Sequence, residues 1–391
     1  MKRNLWLLAL CQGLFLTNNV TFIAINGLVG LSLAPFGWMA TLPVMGYVVG
    51  GALSTPLVAR TQSRFGRRIS FQIGLAVALV SAGIGAWAVV SHNFWLLVGA
   101  TVVAGYYSAN GQLYRFAAAE LAEPSYREKA VSLVLAGGLI GAIAGPNLAA
   151  RSRGLLEIPF AGAYVALAVV ALVAMVLMAF IQFPPHTVAP RGSHQGRPLW
   201  QILRQPVFMV ACASAALGYG VMNLLMAATP LAMQQCGLSF DDAALVLEWH
   251  VIGMFAPGFF TGNLIKRFGT LPVMGAGVAL NGACIAIALS GVELHQFALA
   301  LFLLGVGWNF LFTGSTTLSL GAYRPEEKDR AQAAINFCVF AVMALTSFAS
   351  GALITTQGWS MLNWGSLGPV GLTAAALAWL GLNQRARRSA A

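Results

Sequence analysis

Arg115 carries the most chemical information in this sequence. It lies inside an apolar run, in Gln112-Leu113-Tyr114-Arg115-Phe116. A cation at the middle of a membrane helix costs roughly 2.5–3.5 kcal/mol on insertion scales. A partner, a wet cavity or a solute must offset that cost. Snorkelling to the water interface, or pairing with Glu120 or Glu128, is the structural alternative. Glu248 is the only one of the eleven acids clearly within an apolar run, which makes it the candidate for loading and unloading a proton. The alternative is a carboxylate near the outer interface that faces water. His250 lies two residues on, so the two side chains point to different helix faces and a direct relay is not expected.

A second tier consists of amides and aromatics inside apolar runs. Asn18, Asn19, Asn110, Gln112, Asn223, Asn309 and Asn336 each need a partner in lipid and should face protein. Ligand contact and helix–helix glue remain equally open for each. Gln112 and Arg115 are three apart and share a helix face. Asn336 can bind but cannot carry a proton. Trp308, Tyr106, Tyr107 and Tyr114 could stack on a flat ring, although plain packing is the commoner role for such side chains.

The elements that hold these residues follow from composition. The 391 residues are 58% hydrophobic and 8% charged, whereas soluble domains carry about 25% charged residues. Such a surface is solvated by lipid. The net charge of +11 sits on short connectors, so a nucleic-acid partner is not expected. Cys11, Cys212, Cys236, Cys284 and Cys338 are scattered without a CxxC pair, which argues for free thiols and against a metal site. No cofactor motif occurs. An enzyme would need a nucleophile–base pair or a metal cluster, and no HExxH, GxSxG or phosphate-binding loop is present.

Twelve runs are apolar and long enough to cross the ~30 Å hydrocarbon layer as helices. They lie at about 5–29, 34–58, 69–90, 94–120, 129–150, 159–183, 206–232, 239–264, 270–290, 294–320, 329–355 and 363–382. None alternates every second residue, which excludes a β-barrel. The first run follows Lys2 and Arg3 but is too long for a signal peptide and reads as a retained helix. The expected fold is an all-α membrane protein of two pseudo-symmetric six-helix bundles. Residues 1–183 form the first half, 184–205 a proline-rich cytoplasmic linker, and 206–391 the second half. Bases favour one set of connectors by 19 to 2, with Arg115 left over. That asymmetry places both termini in the cytoplasm.

The halves repeat each other. Ser63-Arg64-Phe65-Gly66-Arg67-Arg68 is echoed by Lys266-Arg267-Phe268-Gly269, 203 residues later. Pro124-Ser125-Tyr126-Arg127-Glu128-Lys129-Ala130 is echoed by Pro325-Glu326-Glu327-Lys328-Asp329-Arg330-Ala331, 201 residues later. A repeat unit many helices long points to a duplicated membrane protein.

This pattern resembles the major facilitator superfamily over the whole chain. The family's signature Gly-x-Leu-Ala-Asp-Arg-x-Gly-Arg-Arg is matched by Gly262, Leu264, Arg267 and Gly269 in the second half, and by Arg64, Gly66, Arg67 and Arg68 in the first. The resemblance implies that Arg64, Gly66, Arg67, Arg68, Gly262, Arg267 and Gly269 form conformational latches. The signature acid is replaced by Ser63 and Lys266, which implies a weaker latch or one made otherwise. Thr101 stands where many members have an arginine. Gly141-Ala-Ile-Ala-Gly145-Pro146 matches only the core of an exporter motif. In this family helices 1, 4, 7 and 10 line a central cavity. That makes Asn18, Asn19, Gln112, Tyr114, Arg115, Asn223, Trp308 and Asn309, with His250 and Asn336, the expected substrate-binding set.

A narrower similarity runs through Gln112 to Ala119, Val134 to Gly138 and Trp249 to Pro257, and resembles a bacterial branch that includes riboflavin transporters. It implies a secondary transporter, expected to be a monomer in the bacterial inner membrane, that moves a small organic solute by alternating access. Riboflavin or a flavin-like molecule is the solute so implied. Proton-coupled efflux of drugs or metabolites stays open as an alternative, as does a non-transporting receptor or assembly protein with a carrier fold.

Overall fold

The computed structural model describes residues 2–36, 39, 42–184 and 196–389. Half of the predicted linker, with His186, Arg191 and His194, lies outside the described residues. Everything described is helix, turn or irregular connection, with no strand. The helices are α1 (Lys2–Leu33), α2 (Leu42–Val90), α3 (Phe94–Gly111), α4 (Tyr114–Leu121), α5 (Arg127–Ala136), α6 (Gly138–Ser152) and α7 (Ala161–Ala179). After the linker come α8 (Leu199–Leu203), α9 (Pro206–Gln235), α10 (Phe240–Phe255), α11 (Gly258–Phe268), α12 (Thr270–Ser290), α13 (Leu294–Leu320), α14 (Lys328–Thr356) and α15 (Gly358–Ser389). Among the described residues, nine helical stretches are long and apolar enough to cross a membrane.

The surface and interior explain why these sequences fold in lipid rather than water. Large apolar side chains point outward, including Leu53, Trp87, Trp95, Val176, Leu345 and Phe348. Asn18, Asn110, Asn223, Asn309 and Asn336 are buried. An apolar coat over a hydrogen-bonded interior is what a bilayer solvent selects.

The basic repeat makes two turns of the same geometry. At 49 residues, α2 would run about 74 Å if straight, more than twice the ~30 Å hydrocarbon thickness. Gly66, at φ 77° and ψ 176°, interrupts the helical backbone. The Thr61 and Ser70 hydroxyls, nine positions apart, lie 3.0 Å from each other, so the chain folds back between them. Gly269 adopts φ 91° and ψ 161° between α11 and α12. These left-handed angles strain any residue with a Cβ. The preceding arginine stacks on the intervening phenylalanine in both copies: Arg64 lies 5.2 Å from the Phe65 ring and Arg267 5.1 Å from Phe268. The second repeat also recurs locally, since Pro124–Tyr126 and Pro325–Glu327 are each a single 3-10 turn that opens the next helix.

Some expected spans are not continuous. The run at 94–120 breaks at Gln112 and Leu113, between α3 and α4. The run at 129–150 is divided at Gly137, and that at 239–264 at Ala256 and Pro257, although the backbone at these three residues keeps right-handed helical angles. Near the first break, any Cβ on Gly111 would meet the Phe15 ring at 2.3 Å. Close packing of α1 on this point thus accompanies the loss of regular helix.

Two compact units emerge from the packing: residues 1–193 with 332–340, and residues 194–331 with 341–391. In the first, Phe22, Ile25, Val29, Tyr47, Leu97, Tyr164 and Leu167 form the largest part of one apolar core. In the second, Val210, Met274, Leu311, Leu377 and Leu380 form a core cluster. The second unit also anchors the end of the linker. Arg197 donates to the Glu327 carboxylate from its backbone N (2.7 Å), Nε (2.8 Å) and Nη2 (2.6 Å), and Nη2 also reaches the Ala322 carbonyl at 3.1 Å. Glu327 is fully buried. Its carboxylate raises the Arg197 guanidinium further above its ordinary value, so Arg197 stays charged at any physiological pH.

Candidate functional site

Arg115 occupies the first turn of α4, directly after the break in the helix. It is 2% exposed, so it does not snorkel. The Arg115 Nη2–H donates to Asn336 Oδ1 at 3.1 Å, and the guanidinium carbon lies 4.8 Å from the Phe116 ring centroid. Both residues belong to the first unit, in which the 332–340 stretch of α14 is included. The position is electrostatically unfavourable, because a helix N-terminus carries partial positive charge. A buried guanidinium with five N–H donors, beside a neutral amide, can bind carbonyl or anionic oxygens in a planar fork.

The same unit holds a second buried cation. Arg67 donates through Nε to Glu120 Oε2 at 3.1 Å, through Nη2 to Glu120 Oε1 and to Gln332 Oε1 (2.6 Å), and through Nη1 to Gln62 Oε1. Gln62 extends the chain to Asn110 Oδ1 at 3.4 Å, and Asn110 donates to the Ser70 carbonyl at 3.1 Å. Arg67 thus meets a carboxylate from Glu120, 53 residues away, while at the signature position Ser63 bonds the Arg60 carbonyl. The sequence signal for this was the placement of Glu120 at the inner end of its helix, but nothing local tied it to Arg67.

Arg64 is exposed, and Arg68 caps the end of α7 through Nη2 to the Ala179 carbonyl at 2.7 Å. In the second copy, Gly262 is buried, while Arg267 and Gly269 are exposed at the turn.

The predicted substrate residues divide into two groups. Several are engaged in packing within their own unit. Asn18 donates to the Leu167 carbonyl at 3.1 Å and ties α1 to α7. Tyr114 is 1% exposed, edge-on to Phe15 and Phe71. Asn309 donates to the Met254 carbonyl at 2.6 Å and accepts from Thr261 at 2.7 Å, which ties α13 to α10 and α11. His250 is fully buried, with Nδ1 2.7 Å from the Leu301 carbonyl. A carbonyl only accepts, so Nδ1 carries the proton there. For Asn18 and Asn309 a fixed protein partner satisfies a polar group that lipid cannot.

Others retain access or adaptable partners. Asn19 is half-buried and donates to the Tyr47 hydroxyl at 2.9 Å. Gln112 is half-buried at the helix break. Asn223 meets two hydroxyls, Ser347 at 2.9 Å and Thr346 at 3.0 Å. Trp308 stacks on Phe312 at 4.8 Å, with Tyr219 and Phe255 edge-on at 5.5 and 5.7 Å. Tyr219 was missed from the sequence because a tyrosine in an apolar run is indistinguishable from packing.

Glu248 lies on the exposed face of α10 with Leu245 and Trp249, opposite His250, as their spacing requires. The exporter-like glycines have a packing role: Cβ atoms on Gly141 and Gly145 would meet Leu16 and Val20 of α1 at 2.4 and 2.8 Å. Thr101 is buried and bonds the Val98 carbonyl at 2.8 Å.

An apolar coat over a helical interior that holds two buried arginines, Arg67 and Arg115, suits a membrane protein. The family model of the Major Facilitator Superfamily matches residues 5–256 and 210–391. The chain belongs to the major facilitator superfamily and is a multi-pass membrane transporter. It is 37% identical over 365 residues to a riboflavin transporter of Brucella anthropi, covering 93% of this chain and 92% of that one. Its fold matches the human organic anion transporter MFSD10 with a TM-score of 0.76 at 15% identity, covering 96% of this chain and 99% of the other. It matches the Escherichia coli fucose:proton symporter with a TM-score of 0.75 at 16% identity, covering 95% and 96%.

Proposed function

We propose that this protein carries riboflavin or a flavin-like solute across the bacterial inner membrane by alternating access. Residues 1–183 and 206–391 act as two six-helix halves, giving twelve crossings, with residues 184–205 and both termini on the cytoplasmic side. A monomer suffices for this mechanism. The observation that carries the proposal is the buried Arg115–Asn336 pair, held at a helix break. Discontinuous helices recur at transporter solute sites because freed backbone groups and side chains can meet the cargo there.

A flavin ring presents a carbonyl–imide–carbonyl edge. The Arg115 guanidinium donates to the carbonyls, and the Asn336 amide, able to donate and accept, meets the imide. The similarity to the Brucella anthropi riboflavin transporter supports this solute class. Asn19 and Gln112, in the same unit as Arg115 and Asn336, supply further amides for the polyol chain.

The test is riboflavin binding, followed by quenching of flavin fluorescence, and uptake into liposomes containing the purified protein. Arg115→Ala and Asn336→Ala should each weaken binding roughly tenfold or more, since a lost hydrogen bond to a charged group is worth about 1.5–3 kcal/mol. No riboflavin binding by the wild type would refute the solute. Unchanged affinity in both folded variants would refute the site.

A further inference from the structure

We propose that the cytoplasmic end of the first unit holds a binding site for one anionic phospholipid, with its headgroup at Arg68 and an acyl chain in the groove between α2 and α7. The groove has a volume of about 590 Å³ and is lined by Arg68, Ile69, Gln72, Ile73, Ala76 and Met175. Its wall is mostly apolar, and its two polar members stand together toward the α7 end. Gln72 Nε2 donates to the Met175 carbonyl at 2.9 Å, and Arg68 Nη2 to the Ala179 carbonyl at 2.7 Å. These bonds fix both side chains. Arg68 remains exposed with further N–H donors on a planar guanidinium.

The charge around this mouth is of one sign. Asn4 Nδ2 donates to the Gln182 carbonyl at 2.9 Å, which sets the start of α1, with exposed Lys2 and Arg3, beside the end of α7. The elements that meet here carry no acid: the sequence has no Asp or Glu before Glu120, nor any between Glu157 and Asp241. Glu120, which reaches α2 from α4, is paired with Arg67. Lys2, Arg3 and Arg68 thus form an uncompensated basic rim over an apolar groove. A phosphate headgroup with an attached acyl chain complements both parts, and cytoplasmic leaflets supply anionic lipids.

Native mass spectrometry of the full-length protein tests this, with equimolar phosphatidylglycerol and phosphatidylcholine of identical chains. Phosphatidylglycerol adducts should exceed phosphatidylcholine adducts at least tenfold. Arg68→Ala should cut the phosphatidylglycerol adduct at least fivefold. Ile73→Trp, which fills the groove from an outward face without changing charge, should cut it similarly and keeps the test decisive should Arg68→Ala not fold. Millimolar inorganic phosphate should not displace the lipid. Equal retention of the two lipids, or an undiminished adduct in Ile73→Trp, would overturn the proposal. Displacement by phosphate alone would also overturn it, since the site would then recognise a bare anion.

Discussion

At the scale of single residues, the two buried arginines have different partners and different expected roles. Arg67 faces a carboxylate, so its charge is neutralised within the protein. Arg115 donates to an amide oxygen, that of Asn336. The first arrangement suits a structural lock and the second a binding group. Removing one member of a buried ion pair leaves the other uncompensated and typically costs about 3–5 kcal/mol. Glu120→Gln should therefore lower thermal stability measurably, by an amount of that order reduced by the partial exposure of Glu120. Arg67→Ala combined with Glu120→Gln should cost less than the sum of the two single changes. Strict additivity in that cycle would mean the pair does not interact. The sequence marked Arg115 as needing a partner, because a charge in an apolar run always does. It could not name Asn336, 221 residues away.

At the scale of elements, both basic turns depend on glycine at left-handed angles. The two positions separate backbone strain from crowding. A Cβ on Gly269 would meet only the Pro272 ring at 3.7 Å, an ordinary contact. Gly269→Ala should therefore cost only the backbone term, roughly 1–3 kcal/mol, read as lower thermal stability with solute affinity retained. A stability equal to wild type would show that the turn relaxes without strain. The helix break before Arg115 belongs to this scale too. An apolar run from 94 to 120 reads as one helix, since hydropathy is blind to a local change of hydrogen-bond partner. The turn at Gln112 and Leu113 puts Arg115 at the start of α4 rather than in the middle of a longer helix.

At the scale of the whole molecule, energy coupling is the open question that the site residues address. A proton-coupled carrier needs a membrane carboxylate that changes protonation during the cycle. Glu120 is ion-paired, and Glu248 lies on an exposed face with its neighbour His250 turned to the opposite side. Solute flux should consequently depend only weakly on a proton gradient. Uptake into energised liposomes should survive an uncoupler, and Glu248→Gln should transport at near the wild-type rate. Uptake abolished by the uncoupler would defeat this expectation.

Local chemistry decided the helical, lipid-solvated character of the chain, the basic glycine turns and the need for something to meet Arg115. Each of these follows from one stretch of residues and its solvent. Packing decided which distant groups meet: Glu120 with Arg67, Asn336 with Arg115, Glu327 with Arg197. Which face of a helix turns toward which neighbour depends on the rotation and depth of every helix around it. No single stretch of sequence contains that information, because in lipid an amide or a charge is satisfied equally well by any partner the bundle happens to bring within 3 Å.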